Sequence, residues 1–169
     1  MRPDSSLEKL AKLKPVFGKG DDATMTAGNS TPLSDGASTV LLASDEEAER
    51  RGWTPLAYLV DYETAAVDYV SGAEGLLMAP AYAVPRMLAR QGLSLQDFDF
   101  YEIHEAFAGQ VLTTLAAWEE MGLGSTERDK LNVVGSSLAV GHPFAATGAR
   151  IVPTAAKLLA EQGSGRALI

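Results

Sequence analysis

The spacing of apolar and polar positions predicts helices along much of the chain. Over residues 106–121 apolar side chains recur every three or four positions, which places them on one face of a helix. The same spacing, together with capping residues and terminal glycines, predicts further helices over 5–14, 45–51, 79–91 and 145–162. Pro153 is expected to kink the last of these, because proline removes a hydrogen bond from a helix interior.

Runs of β-branched and aromatic residues between these helices predict short strands. The predicted strands cover residues 24–26, 38–42, 56–62, 100–103, 132–134 and 166–169. Strands that alternate with helices indicate an α/β layered fold, here with a mixed β-sheet flanked by helices. The last strand opens at Arg166 and has no partner after it, which predicts a domain incomplete at its C-terminal end; a short edge strand or a tail is the alternative.

Length and composition are those of an ordinary globular chain. The 169 residues are 46% hydrophobic and 21% charged, and we predict a lead-in segment over 1–22 and one domain over 23–169. The net charge is −8 and the basic residues are scattered, which argues against a nucleic-acid partner. No apolar run is long enough to cross a bilayer and no signal-peptide core is present, so we expect a cytoplasmic protein.

The chemistry-bearing residues are two histidines, and the chain has no cysteine. His104 follows an apolar strand, His142 lies between Gly141 and Pro143, and each precedes a predicted helix. An imidazole there can transfer a proton near neutral pH, and the helix amides can stabilise developing negative charge. We predict that both rings belong to one acyl-transfer centre, although a histidine that merely caps a helix fits the same pattern.

Neighbouring residues have both a functional and a structural interpretation. Glu105 could orient one of the histidines or cap its own helix, and Ala106 and Phe107 could line an acyl pocket or simply pack in the core. Two histidines are too few for a zinc site, and no HExxH spacing occurs, so no metal is predicted. The missing cysteine also excludes disulfides and a thiol nucleophile within this chain.

Two segments resemble motifs of the thiolase family. They are His104-Glu105-Ala106-Phe107-Ala108 and Gly141-His142-Pro143-Phe144-Ala145-Ala146-Thr147-Gly148. Histidine stands where many thiolases have asparagine, which resembles the degradative branch typified by the trifunctional-protein β subunit, and Ala145 replaces a motif glycine. The resemblance implies a thiolase-like layered fold and thiolytic cleavage of 3-oxoacyl-CoA by CoA, giving acyl-CoA and acetyl-CoA in fatty-acid β-oxidation. Coenzyme A is then a substrate, and no cofactor is implied.

The resemblance also implies a role for each matched residue. His142 would deprotonate the nucleophilic cysteine of the family, and His104 would help His142 to bind the thioester oxygen. Four residues match positions that line the pantetheine and acyl channel, namely Phe17, Thr31, Ala106 and Phe107. Glu105 and Gly141 would support the two histidines.

The family's nucleophilic cysteine and its second, acid/base cysteine have no counterpart in this chain. We therefore predict that the polypeptide alone is inactive and that its partners are acyl-CoA, CoA and an N-terminal thiolase half. A homo-oligomer or a complex with a β-oxidation multifunctional subunit is also implied. The alternatives are a non-catalytic CoA- or partner-binding domain and a fragment of a sterol-carrier-type thiolase.

Overall fold

A computed structural model describes residues 3–169, which form short helices and strands around one packed region. The helices are α1 (Leu7–Leu10), α2 (Asp45–Arg51), α3 (Ala79–Gln91), α4 (Ala108–Glu120), α5 (Ser137–Val140) and α6 (Thr147–Gln162). The strands are β1 (Pro15–Phe17), β2 (Met25–Thr26), β3 (Phe100–Tyr101) and β4 (Ala167–Leu168), and 3-10 turns cover Leu95–Asp97 and Arg128–Lys130.

Two small sheets form in the described residues. β1 and β2 pair antiparallel, whereas β3 and β4 pair parallel, with Phe100 opposite Ala167 and Tyr101 opposite Leu168. On its other side Tyr101 makes a single parallel bridge to Leu131. The region around β3 is therefore the middle of a three-segment parallel arrangement, and the chain that leaves its carboxyl end carries His104.

The hydrophobic core lies between α3, α4 and the β3–β4 pair. Its buried members are Leu88, Leu95, Phe98, Tyr101, Val111, Leu115, Trp118 and Leu168. The Tyr101 hydroxyl donates to the carbonyl of Leu95 at 2.6 Å, so its polar end is satisfied inside the core. This packing fixes the direction in which the chain leaves β3.

Local signals fixed two helices at the predicted residues. The Ser44 hydroxyl accepts from the Glu47 amide at the start of α2, and Gly52 ends that helix in the left-handed conformation. α3 ends at Gly92 in the same way. α6 continues through Pro153, since a proline costs only its own hydrogen bond and local clash when packing holds the rest of the helix.

The first helix is shorter than predicted. α1 ends at Leu10 rather than near residue 14, and none of its residues is buried. A short helix without a packed face has little to stabilise it in water. Pro15 therefore begins β1 instead of ending a helix.

The predicted strands at 38–42, 56–62 and 132–134 are not formed. Within residues 3–169 none of them is a strand, although the bridge between Leu131 and Tyr101 lies next to the third and the Asn132 amide donates to the Tyr101 carbonyl at 2.8 Å. Leu41 and Leu42 are 71% and 67% exposed, and Leu59 and Val60 are 69% and 79% exposed. A strand takes its hydrogen bonds from another segment, so apolar β-branched sequence alone cannot make one.

Residues 3–169 contain neither a membrane-spanning helix nor a cluster of metal-binding side chains. No helix within residues 3–169 has both the length and the apolar character that crossing a membrane requires. The same residues contain no group of three or more histidine, aspartate and glutamate side chains that could hold a metal ion.

Candidate active site

The two histidine rings lie against each other. Their centroids are 4.1 Å apart and their planes are tilted by 41°. His104 arrives from the carboxyl end of β3, and His142 arrives from the end of α5. The structure thus brings together the two imidazoles that the sequence placed in one centre, while the catalytic role of each stays a prediction.

The segment 29–33 holds both histidine segments in place by backbone hydrogen bonds. The Thr31 amide donates to the carbonyl of Ala106 at 3.0 Å, and the Ala108 amide donates to the carbonyl of Asn29 at 2.9 Å. One step further along, the His142 amide donates to the carbonyl of Pro32 at 2.9 Å. We call residues 29–33 the strap, because they cross both halves of the site.

The His104 ring is partly buried and has a fixed partner. Its Nδ1 lies 2.7 Å from the hydroxyl of Ser137, the first residue of α5. Burial, and then the neighbouring His142 and Arg150, lower the pKa of His104 below the ordinary 6.5. The ring is therefore neutral at neutral pH and can act as a hydrogen-bond donor without carrying a charge.

The His142 ring has a different partner. Its Nδ1 lies 2.7 Å from the hydroxyl of Thr147, the first residue of α6. That hydroxyl also lies 3.3 Å from the carbonyl of Pro143, and when it donates its one proton there it accepts the N–H of His142. This arrangement leaves the lone pair on Nε2, which is the state a general base needs.

Glu105 neither orients a histidine nor caps α4. One of its oxygens accepts from the Asn132 amide group at 2.9 Å, and the other accepts from the Leu138 backbone amide at 3.0 Å. Asn132 also pairs with both backbone groups of Ile103. Glu105 thus ties the loop that bears His104 to α5, and its supporting role in the site stays a prediction.

The helix amides nearest the histidines are used within the protein. α4 begins at Ala108, whose amide donates to the strap, and α6 begins at Thr147, whose amide donates to the carbonyl of Pro143 at 3.3 Å. These particular amides cannot also bind a ligand oxygen. The side chain of His104, rather than these first helix amides, is the available donor at this point.

The residues expected to line a channel fall into two groups. Phe17 and Phe107 meet edge to face, with ring centroids 5.7 Å apart, and Phe17 is half exposed. Thr31 and Ala106 belong to the strap contact, and the Thr31 hydroxyl donates to the carbonyl of Ser137 at 2.8 Å. The proton of Thr31 is thus used internally, and only the lone pairs of its oxygen remain for a ligand.

Two backbone positions before α6 have positive φ angles. Gly141 has φ +92°, and a Cβ there would lie 1.9 Å from the Ser34 hydroxyl oxygen, so only glycine fits. Ala145 has φ +62°, a left-handed conformation that is unfavourable for alanine. Ala145 is the residue that replaces a glycine of the thiolase motif.

Two further ionisable residues, Arg150 and Glu102, lie near the histidines. Arg150 on α6 donates through Nη2 to the hydroxyls of Ser136 and Ser137, at 3.3 and 3.2 Å. Glu102 is fully buried, and neither of its carboxyl oxygens has a partner among residues 3–169. Burial raises the pKa of Glu102 to about 7, with Glu105 acting in the same direction and Arg150 opposing.

Comparison with known families identifies the fold. The family model described as "Thiolase, C-terminal domain" matches residues 53–169, which is more than half of the chain. The chain belongs to the thiolase family. The model described as "Thiolase, N-terminal domain" matches residues 1–46, so the strap and the histidines fall in different thiolase domain matches. The boundary predicted at residue 22 stays a prediction.

Similar proteins agree with this assignment. A 3-ketoacyl-CoA thiolase of Pseudoalteromonas atlantica is 44% identical over 180 residues, which covers 100% of this chain and 40% of the relative. One from Shewanella woodyi is 42% identical and covers 99% of this chain and 40% of the relative. This thiolase chain therefore spans about 40% of the length of the curated relatives it matches.

Solved thiolase structures share the fold. The Bacillus anthracis acetyl-CoA acetyltransferase superposes with a TM-score of 0.83 at 40% identity, over 98% of this chain and 39% of that chain. The human mitochondrial 3-ketoacyl-CoA thiolase in complex with CoA gives 0.79 at 33% identity, over 98% and 39%. The thiolase-like layered α/β fold predicted from sequence is confirmed.

Sequence reasoning did not find the residues that hold the two rings. Ser137, Thr147, Asn132, Arg150 and Glu102 all contribute to the site. Ser137 and Thr147 each contact a histidine from the first position of a helix. A small hydroxyl residue at a helix start is the one signal that could have drawn attention to them.

Proposed function

We propose that this thiolase chain contributes the histidine half of a 3-ketoacyl-CoA thiolase centre. The reaction is the cleavage of 3-oxoacyl-CoA by CoA, with an acyl group held on a cysteine thiol from outside residues 1–169. The observation that carries the proposal is the 4.1 Å contact between the only two histidines of the chain. The similarity to proteins named 3-ketoacyl-CoA thiolase supports the substrate class.

His142 is the base in this proposal. Thr147 holds its Nδ1–H, so Nε2 can take the proton from the cysteine thiol and convert it to a thiolate. The thiolate attacks the 3-oxo carbon, the bond between carbons 2 and 3 breaks, and the released acetyl-CoA enolate takes a proton from the acid/base cysteine, which also comes from outside residues 1–169. That cysteine, now a thiolate, takes the proton of the CoA thiol. The CoA thiolate then attacks the acyl-cysteine thioester, which releases the shortened acyl-CoA and regenerates the enzyme thiolate.

His104 is the electrophilic partner. Its lowered pKa keeps the ring neutral beside Arg150, and its N–H can donate to an oxygen that gains negative charge. Phe17 and Phe107, in edge-to-face contact, are proposed to form an apolar wall of the acyl channel. Coenzyme A serves as substrate, and the cytoplasm is the proposed location.

The assembly belongs to the same proposal. Exposed apolar side chains at 41–42 and 59–60 are surfaces that another thiolase segment, a second copy or a β-oxidation multifunctional subunit could cover. The isolated polypeptide is expected to be inactive because it contains no thiol.

A chimera tests the catalytic proposal. Residues 1–169 replace the matching segment of the Pseudoalteromonas atlantica thiolase, and the product is assayed for CoA-dependent cleavage of a 3-oxoacyl-CoA. We expect activity in the chimera and a loss of at least about 100-fold in its His142→Ala variant, because general-base catalysis contributes about that much. Full activity of the His142→Ala chimera would contradict the proposed base.

Calorimetry separates the non-catalytic alternative. If the chain were a CoA-binding module, the isolated 169 residues would bind CoA without any partner, and the chimera would fold but remain inactive. We expect the reverse, namely an active chimera. A folded and inactive chimera that still binds CoA would favour the binding module.

A further inference from the structure

The hydroxyl of Ser137 connects Arg150 to His104. Ser137 is fully buried, and its oxygen lies 3.2 Å from Arg150 Nη2 and 2.7 Å from His104 Nδ1. An arginine has no acceptor, so Arg150 must donate into a lone pair of the serine oxygen. The direction of the second contact, between the serine and the histidine, then depends on where the serine proton goes.

The serine proton has one acceptor within reach. Among residues 3–169, no acceptor other than His104 Nδ1 lies within hydrogen-bond distance of the Ser137 hydroxyl. If His104 donated instead, the buried serine proton would be left without a partner, which costs about 1–3 kcal/mol. The satisfied arrangement runs from Arg150 to Ser137 and from Ser137 to His104.

We infer that Arg150 and Ser137 are positioning residues that hold His104 in the tautomer with its proton on Nε2. His104 is then a permanent hydrogen-bond donor at that nitrogen and cannot act as a base there. His142 has the opposite arrangement, with Thr147 accepting from Nδ1 and the lone pair left on Nε2. Two adjacent imidazoles are thus fixed in complementary states by different helix-start hydroxyls.

That the Nε2–H of His104 donates to a thioester oxygen rests on the proposed function. The assignment of the proton to Nε2 does not depend on that function. Arg150 supplies a constant bias because its guanidinium stays protonated at any physiological pH. Arg150 lowers the pKa of the buried Glu102 against the effect of burial, so the two groups lie close together. The arrangement is complete within residues 102–150.

The tautomers can be measured directly on the chain. Long-range proton–nitrogen correlation spectra of the ¹⁵N-labelled 169-residue protein give one pattern for each of its two histidines. A His142→Gln variant assigns the patterns, and the pH is set roughly 1.5 units above the ordinary histidine pKa. We expect a single Nε2–H form for His104. A proton on His104 Nδ1 in the unmodified chain would overturn the inference.

Adjacent serines provide a matched pair of variants. Ser137→Ala removes the donor to His104, whereas Ser136→Ala removes a neighbour that is equally buried and also accepts from Arg150 but does not contact the ring. We expect Ser137→Ala to shift the His104 Nδ1 resonance toward an unbonded nitrogen or to give a mixture of tautomers. Ser136→Ala is expected to leave the pattern unchanged. Identical spectra for both variants would overturn the role of Ser137.

Arg150→Gln tests the contact between Arg150 and the Ser137 hydroxyl. Without the guanidinium, the Ser137 hydroxyl loses the positive charge that favours donation of its proton to His104, so a mixture of tautomers is expected in place of the single form. An unchanged single form would remove Arg150 from the arrangement. If a variant fails to fold, the spectrum of the unmodified chain still decides the tautomer. Failure of the chimera assay would not alter these spectra, so the two proposals fail separately.

Discussion

Two regions of this chain contrast sharply in how their apolar residues are used. In the packed region, residues 79–169, α3, α4 and the β3–β4 pair bury a continuous core. In the open region, residues 38–78, apolar side chains such as Leu59 and Val60 remain exposed and only α2 is regular. The two regions do not differ in how apolar their residues are. They differ in whether a second helix or strand packs against them, and apolar segments form strands or a core only where such an element is close by.

The side chain of Arg90 is one of several that connect the open region to the packed region. Arg90 on α3 contacts Asp61 and Glu63 at 3.0 and 2.6 Å and donates to the Tyr62 carbonyl at 3.0 Å. The pKa of Asp61 falls to about 2 because Arg90, and then Gln91, donate to its carboxylate. These groups are accessible to solvent, so the contacts define where the segment lies more than they stabilise the fold.

The strongest test of the contrast compares one substitution from each region. Trp118→Ala removes the largest fully buried side chain of the core and should cost about 3–5 kcal/mol of unfolding free energy. Val60→Ala, at a position 79% exposed, should change stability by less than about 0.5 kcal/mol. Urea unfolding followed by far-UV circular dichroism measures both. Equal losses would show that the open region is packed in solution.

A second test asks whether the strap is packed against the histidine segments of the packed region in solution. Gly141→Ala requires a positive φ at alanine and displaces Ser34, so we expect a loss of about 2–3 kcal/mol. The control is Gly109→Ala on α4, where a Cβ meets nothing within 4 Å and helix propensity should give a gain of up to about 1 kcal/mol. Thermal unfolding with matched buffers compares the two. A harmless Gly141→Ala would mean that the strap is not held against the site.

A third test concerns the buried carboxyl group of Glu102. Since the pKa of Glu102 is raised from 4.5 to about 7, the folded protein holds a proton over this interval that the unfolded chain releases. Its contribution to stability is therefore present below pH 4.5 and is lost as the pH rises through 7. Glu102→Gln removes this loss, so the variant should gain up to about 3 kcal/mol of unfolding free energy relative to the parent as the pH rises across the interval.

The measurement is urea unfolding of parent and variant at several pH values, compared as a difference. The lowered pKa of His104 acts oppositely: its contribution is present above 6.5 and is lost as the pH falls. That effect is common to both proteins and largely cancels. A difference that does not change with pH would contradict the buried, unpartnered state of Glu102.

The smallest expected effect is at Ala145. Its φ of +62° strains an alanine, and glycine adopts this conformation without that cost. Ala145→Gly should therefore stabilise the packed region by about 1 kcal/mol, read as a rise in the thermal midpoint. Ala146→Gly, at a neighbouring residue in the right-handed conformation, is the control and should destabilise.

The elements that could be predicted are those encoded within a few residues. α2 runs from its Ser44 cap to Gly52, and α3 runs from Ala79 to Gln91, both as expected. Strand formation at 38–42 and 56–62 depended on segments that no nearby residue specifies. Helices were predicted well because their signals are local, whereas strands were predicted poorly because they depend on distant segments.

The site followed a similar rule. The meeting of His104 and His142 was predicted because each lies in a motif that carries its own signal. The contact of His104 with Ser137 joins residues 33 positions apart, as does the one between Glu105 and Leu138. Hydroxyl and amide residues are common in loops, so nothing in the sequence singled out these particular partners.

The strap matters for any attempt to express one part of this protein without the other. Residues 29–33 lie within the match to the N-terminal thiolase domain, whereas both imidazoles lie within the match to the C-terminal one. Three backbone hydrogen bonds join them. Expression of residues 53–169 alone would therefore remove the segment that holds the two histidines together, so a shortened version of the protein should cross the junction between the two domain matches.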